Sequence, residues 1–136
     1  MQVNIFDFGK EVRKVILKSP VIQKKVGENK VCCMIDKNAI MAGIGDKDRA
    51  YPMVTYQRTD LRMSLNKDGI TEMTYAFDVF VVSDNYREVV ELADAVNDAM
   101  IAGFNAGDYT LEFVTSDENA DEDTFWIAIA YNITWK

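Results

Sequence analysis

From Thr124 to Lys136 apolar and polar positions alternate. Phe125, Ile127, Ile129, Tyr131, Ile133 and Trp135 fall on one side, and Trp126, Ala128, Ala130, Asn132 and Thr134 on the other. A period of two becomes a face only on an extended chain, so this stretch predicts a long, half-buried strand. Ile70 to Ser83 repeats the pattern, with Met73, Tyr75, Phe77, Val79 and Val81 on one face and Thr74, Ala76, Asp78, Phe80 and Val82 on the other. Met53 to Thr59 is a strand with Val54 and Tyr56 on its core side, and Asn66-Lys67-Asp68-Gly69 is a turn signal that joins it to Ile70 in a hairpin. Because Leu61 to Asn66 alternates only weakly, that hairpin is expected to project beyond the sheet. Tyr109 to Ser116 is a further strand, and the acidic turn Asp117 to Asp123 leads from it into the last one.

Helical spacing appears twice. Phe8, Val12, Val15 and Ile16 form one stripe of an amphipathic helix from Asp7 to about Lys18, with Asp7 the expected N-cap. Val89, Leu92, Ala93, Val96 and Met100 form the stripe of a longer helix, Tyr86 to Ala102, opened by Asn85 with Glu88 three residues on and stopped at Gly103. Ser19-Pro20 starts a short helix that ends before Gly27. Lys30 to Ile35 reads as a short strand, and Asp36 to Ala50 as a long loop. The order helix, short helix, hairpin, helix, hairpin implies one α+β domain over 1–136: a two-layer, largely antiparallel β-sheet with helices packed on one face.

Composition narrows the chemistry. A chain of 136 residues with 49% hydrophobic and 27% charged residues has the make-up of a soluble globular domain. No apolar run approaches a membrane span, and the N-terminus lacks signal-peptide features, so a cytoplasmic origin and no membrane partner are expected. There is no histidine, which removes the commonest general base and metal ligand. Adjacent Cys32 and Cys33 suit neither a disulfide nor a zinc site and read as small apolar strand residues. The net charge of −7 opposes gripping nucleic acid from outside but permits its passage. Asp117, Asn119 and Asp121 match the first ligand positions of a calcium loop, yet Glu122 stands where its glycine belongs and Ala128 where its bidentate glutamate belongs. A solvated tip is the better reading, although a weak divalent-ion site between subunits stays open. Gly43-Ile44-Gly45 lacks the third glycine of a dinucleotide loop. No catalytic, cofactor-binding or metal-ligating residue is assigned.

One feature exceeds what a solvated sheet needs. The face opposite the helices should be polar, yet Phe80, Val82, Val114 and Trp126 share it with Ala76, Ala128, Ala130 and Asp78. Two covers are open: a segment of the same chain around Ile40 to Ile44, or another subunit. Phe80, Val82, Val114, Trp126, Ala128 and Ala130 are therefore the candidate subunit-interface residues.

The N-terminal helix, the strand "YPMVTYQRTD", the return strand and helix "TYAFDVFVVSDNYREVVELADAVNDAM" and the final "FWIAIAYNITW" together resemble the tail-completion, or tail-terminator, family of long-tailed bacteriophages. That resemblance covers nearly the whole chain. It implies a non-enzymatic protein without cofactors, assembled in the host cytoplasm and carried in the virion tail. Such a protein forms a homo-oligomeric, hexameric ring on the head-proximal end of the tail tube, ends tube polymerisation and joins the tail to the head connector, with DNA only in transient passage. On this reading Asn66, Lys67 and Asp68, or Asp117, Glu118, Asp121, Glu122 and Asp123, line the channel or dock onto the tube. The alternatives are another phage neck or connector protein and a small-ligand-binding α+β domain.

Overall fold

The structure, a computed structural model, describes residues 5–35 and 51–136. A 3-10 turn at Ile5–Asp7 leads into α1 (Gly9–Leu17) and α2 (Pro20–Lys25), and a second such turn, Glu28–Lys30, leads into β1 (Val31–Cys33). β2 (Met53–Asn66) and β3 (Gly69–Ser83) form the first hairpin, α3 (Tyr86–Phe104) follows, and β4 (Tyr109–Ala120) and β5 (Phe125–Trp135) form the second. The five strands lie in one sheet, ordered β1-β2-β3-β5-β4, antiparallel throughout except that β1 runs parallel to β2. The fold is α+β.

The core lies between the sheet and the helices. β3 supplies Met73, Tyr75, Phe77, Val79 and Val81 to it, and β5 supplies Ile129, Tyr131 and Ile133. α3 lays Val89, Leu92, Val96 and Met100 over these faces, and Phe8 stacks on Tyr75 with ring centroids 4.1 Å apart. Buried hydroxyls are matched: Tyr75 donates to the Ile5 carbonyl and Tyr131 to Asn97 Oδ1, each at 2.8 Å. Burial pushes the Tyr131 phenol well above its usual range, with the Asp98 carboxylate adding to the effect. Among the described residues no buried side-chain polar atom lacks a partner.

Several expected boundaries move for local reasons. Asp7 does not cap α1; it closes the 3-10 turn and pairs with Lys10 at 2.7 Å, and Phe8 takes the cap position with no side-chain cap bond. Ser19 and Asn85 do cap α2 and α3, accepting from the backbone N–H of Ile22 and Glu88. Asn85 followed three residues on by Glu88 is the spacing of a reciprocal capping box, but the Asn85 N–H donates to Ser83 Oγ at 3.2 Å, and that hydroxyl donates to the Glu88 carboxylate at 2.6 Å. Gly103 does not stop α3. The helix runs on to Phe104, and a Cβ on Gly103 would lie 2.5 Å from Val15 Cγ1, so the glycine is where α1 and α3 approach closely. β2 continues to Asn66, and Gly69 to Glu72 of β3 have no partner on β5, so the hairpin projects beyond the sheet as its pattern implies. The loop expected over 36–50, with its Gly-Ile-Gly and the Ile40 to Ile44 cover, lies outside the described residues.

Candidate assembly surfaces

Strand register fixes what shares the open face. Residues opposite one another in an antiparallel pair point the same way, so the face reads as rows running across the sheet. Met53, Val82, Trp126 and Asn119 make the first row; Thr55, Phe80, Ala128 and Asp117 the second; Gln57, Asp78, Ala130 and Thr115 the third. Farther along, the rows turn polar: Asp60, Ala76, Asn132 and Glu112, then Arg62, Thr74, Thr134 and Thr110. In this polar half Thr74 and Thr134 share a 3.1 Å hydrogen bond and Asn132 donates to Glu112 at 2.9 Å.

Five of the six sequence-predicted interface residues, Phe80, Val82, Trp126, Ala128 and Ala130, thus fall together in three neighbouring rows, all half-buried. Val114 sits apart from the rows. It is the extra residue where the register slips between Phe113 and Thr115, a β-bulge on the outermost strand, and it is half exposed there, as is Phe113 beside it. Met53 joins the apolar rows unforeseen, its even spacing from Thr55 carrying the signal, and at this end of the rows Met53 and Thr55 are already buried. Asp78 lies among these residues, and burial raises its carboxyl above the ordinary carboxylate range.

The candidate docking residues are distributed differently from the expected loops. Asp117 and Glu118 are not in a turn; β4 extends through them to Ala120, and they face opposite sides of the sheet, opposite Ala128 and Ile127. Asn119 follows Asp117 on the open face, while Glu118 lies on the helix side and accepts the Tyr86 hydroxyl. An extended strand cannot gather Asp117, Asn119 and Asp121 around one ion. Among the described residues no group of three or more potential ligands forms a metal site. Asp121, Glu122 and Asp123 do form the β4–β5 turn. Asn66, Lys67 and Asp68 sit at the β2–β3 tip, where Asn66 Oδ1 accepts from the Asp68 N–H. The two tips lie at opposite ends of β3, whose 15 residues separate them by roughly 45 Å at about 3.3 Å per residue.

Charge is as uneven as polarity. Asp108 to Asp123 contains seven carboxylates and no basic residue, a deficit equal to the chain's net charge of −7. Among the described residues none of those seven takes part in an ion pair. The opposite flank, where α1 packs on β1 and β2, is basic: residues 5–35 hold seven Lys or Arg against three carboxylates.

Among the described residues, concavities large enough for a small molecule include the following. One of about 400 Å³ between α1, α2 and α3 is lined by Val15, Pro20, Val21, Ala95 and Ala99, with Lys18 and Asp98 at its rim. Another of about 400 Å³ lies on the polar half of the open face, between Arg62, Glu72, Glu112 and Thr134. Among the described residues no helix is long and apolar enough to cross a membrane.

Comparison with known proteins bears on the fold. No family model matches the chain, and no curated protein matches its sequence. Its fold is shared with a solved chain. That chain belongs to the virion of a native gene transfer agent particle, and it superposes with a TM-score of 0.65 at 16% identity, over 91% of this chain and 90% of its own length. At that identity the likeness establishes the architecture.

Proposed function

We propose that the chain is a structural component of a phage or phage-like virion that forms a ring, hexameric by the family resemblance, on the head-proximal end of the tail tube. There it ends tube polymerisation and joins the tail to the head connector, without catalysis. The observation that carries this reading is the fold shared over nine-tenths of both chains with a component of a virion particle. The open face supports it independently, because the half-buried Val82, Trp126, Phe80 and Ala128 leave apolar surface in contact with water that suits another subunit. Ala128 and Ala130 let a neighbouring backbone approach closely. Two tips at opposite ends of the sheet, one acidic and one holding Lys67, offer separate contacts to the tube and the connector. The acidic residues discourage passing DNA from adhering.

The test is to measure mass in solution across protein concentration, with and without divalent ions, for the natural chain and for Ala128→Glu and Ala130→Glu. A buried unpaired carboxylate should raise the concentration needed for association at least about tenfold while leaving the fold intact. If both variants fold and assemble like the natural chain, the open face is not the interface. If the natural chain remains monomeric at every concentration, the ring reading loses its support in solution.

A further inference from the structure

Cys32, Thr55 and Met53 are buried on the side of the sheet that faces away from the helices. Met53 lies in the first row of the open face beside Val82, Thr55 in the second beside Phe80, and Cys32 of β1 is the register partner of Thr55. Cys32 is 5% exposed, Thr55 6% and Met53 7%, although β1 is the outermost strand of the sheet. The helices do not bury them. α1, α2 and α3 pack on the opposite face of the strands, and neither Cys32 nor Met53 belongs to that core. A sheet face open to water would leave side chains at its edge well exposed, so this patch has a cover of its own.

Strand directions say which part of the chain supplies it. β3 and β4 are both antiparallel to β5 and hence parallel to each other, and α3 joins them across the helix face. β1 and β2 are also parallel to each other, but they run opposite to β3. In the order β1-β2-β3-β5-β4, the passage from β1 to β2 advances across the sheet in the same direction as the passage from β3 to β4. Two crossovers that advance the same way between strands of opposite direction share a hand only when they lie on opposite faces. Connections between parallel strands of one sheet are right-handed in about 98% of cases. With α3 on the helix face, the β1–β2 connection therefore belongs on the open one.

A parallel pair needs a connection of about a dozen residues or more, and 36–50 supplies that length. Its ends are anchored beside the patch, since the Met34 N–H donates to the Tyr56 carbonyl and β2 begins at Met53. Its sequence suits an apolar floor, with Ile40, Met41 and Ile44 between the charged pair Asp36-Lys37 and the charged run Asp46 to Arg49. We propose that residues 39–44 pack on the open face over Cys32, Thr55 and Met53, as an intramolecular occupant of the β1–β2 end of the apolar rows. A second subunit then meets the rows from the β5 side, where Phe80, Val82, Trp126 and Ala128 are half-buried. The packing within one chain is independent of the ring reading; the approach of the second subunit rests on it.

Thiol protection tests this packing. Cys33→Ser leaves Cys32 as the only thiol of the chain, and its rate of reaction with iodoacetamide under native conditions follows its access to solvent. An occupant from the same chain protects Cys32 equally at every protein concentration, whereas a second copy protects it less on dilution. In the same Cys33→Ser chain, Ile40→Asp combined with Ile44→Asp, and separately Gly-Ser repeats in place of 39–44, should each speed the reaction at least about tenfold. Circular dichroism and the urea midpoint check that the core persists, and the Gly-Ser chain carries the test if the two aspartates disturb folding. The packing is overturned if the altered segments leave Cys32 as slow as the natural one does, or if Cys32 reacts throughout as fast as in the urea-unfolded chain. Protection that falls on dilution also overturns it and gives the patch to a second copy. Protection that persists in a chain that never associates removes the ring reading and leaves this packing standing.

Discussion

Asp78 illustrates how a single residue reports on the open face. Its neighbours across the sheet are Gln57 and Ala130, neither of which offers a positive charge, and burial disfavours its ionised form. The folded carboxyl therefore binds its proton more tightly than the unfolded one. The resulting contribution is greatest below the ordinary value of 3.8 and is lost as pH rises through the elevated folded value. Asp78→Asn should accordingly stabilise the chain at neutral pH, and the difference from the natural chain should vanish below the ordinary carboxylate range. Urea unfolding at several pH values checks the sign; an Asn variant that is less stable at neutral pH would mean that the carboxylate makes a favourable contact. The position is legible in the alternation of β3, but its environment is not, because the partners that set it lie on other strands.

At the scale of elements, Gly103 joins α3 to α1. In an isolated helix, replacing glycine by alanine would gain about 0.5–1 kcal/mol. Here the added methyl would meet Val15 at 2.5 Å from Cγ1 and 2.7 Å from Cγ2, and a β-branched side chain within a helix has little rotamer freedom to yield. Gly103→Ala should therefore destabilise by about 1–2 kcal/mol, as overpacking does. Combining it with Val15→Ala should recover part of that loss. Denaturant unfolding of the single and double variants checks both statements.

The same element shows what sequence periodicity conveys and what it omits. α3, β3 and β5 are legible because each sustains one period over many residues against a single core, and the caps at Ser19 and Asn85 are legible as local chemistry. The helix stop is not, because a glycine needed for close packing carries the same local signal as one that ends a helix. The full length of β4 is hidden too: a bulge at Val114 shifts its parity and both its faces meet solvent beyond that point, so no alternation remains in Asp117 to Ala120. The apolar rows of the open face can be read from β3 and β5.

At the scale of the whole molecule, the described residues combine an apolar stretch of sheet face, an acidic edge strand and a basic flank. On the proposed function, copies of this chain close into a ring that terminates a tail tube. Electron microscopy of tubes grown from a purified phage tail-tube protein, with and without this chain, is the decisive test. A ring should appear at one end only of each tube, with growth arrested there. Tubes that remain bare at both ends and lengthen at an unchanged rate would contradict it.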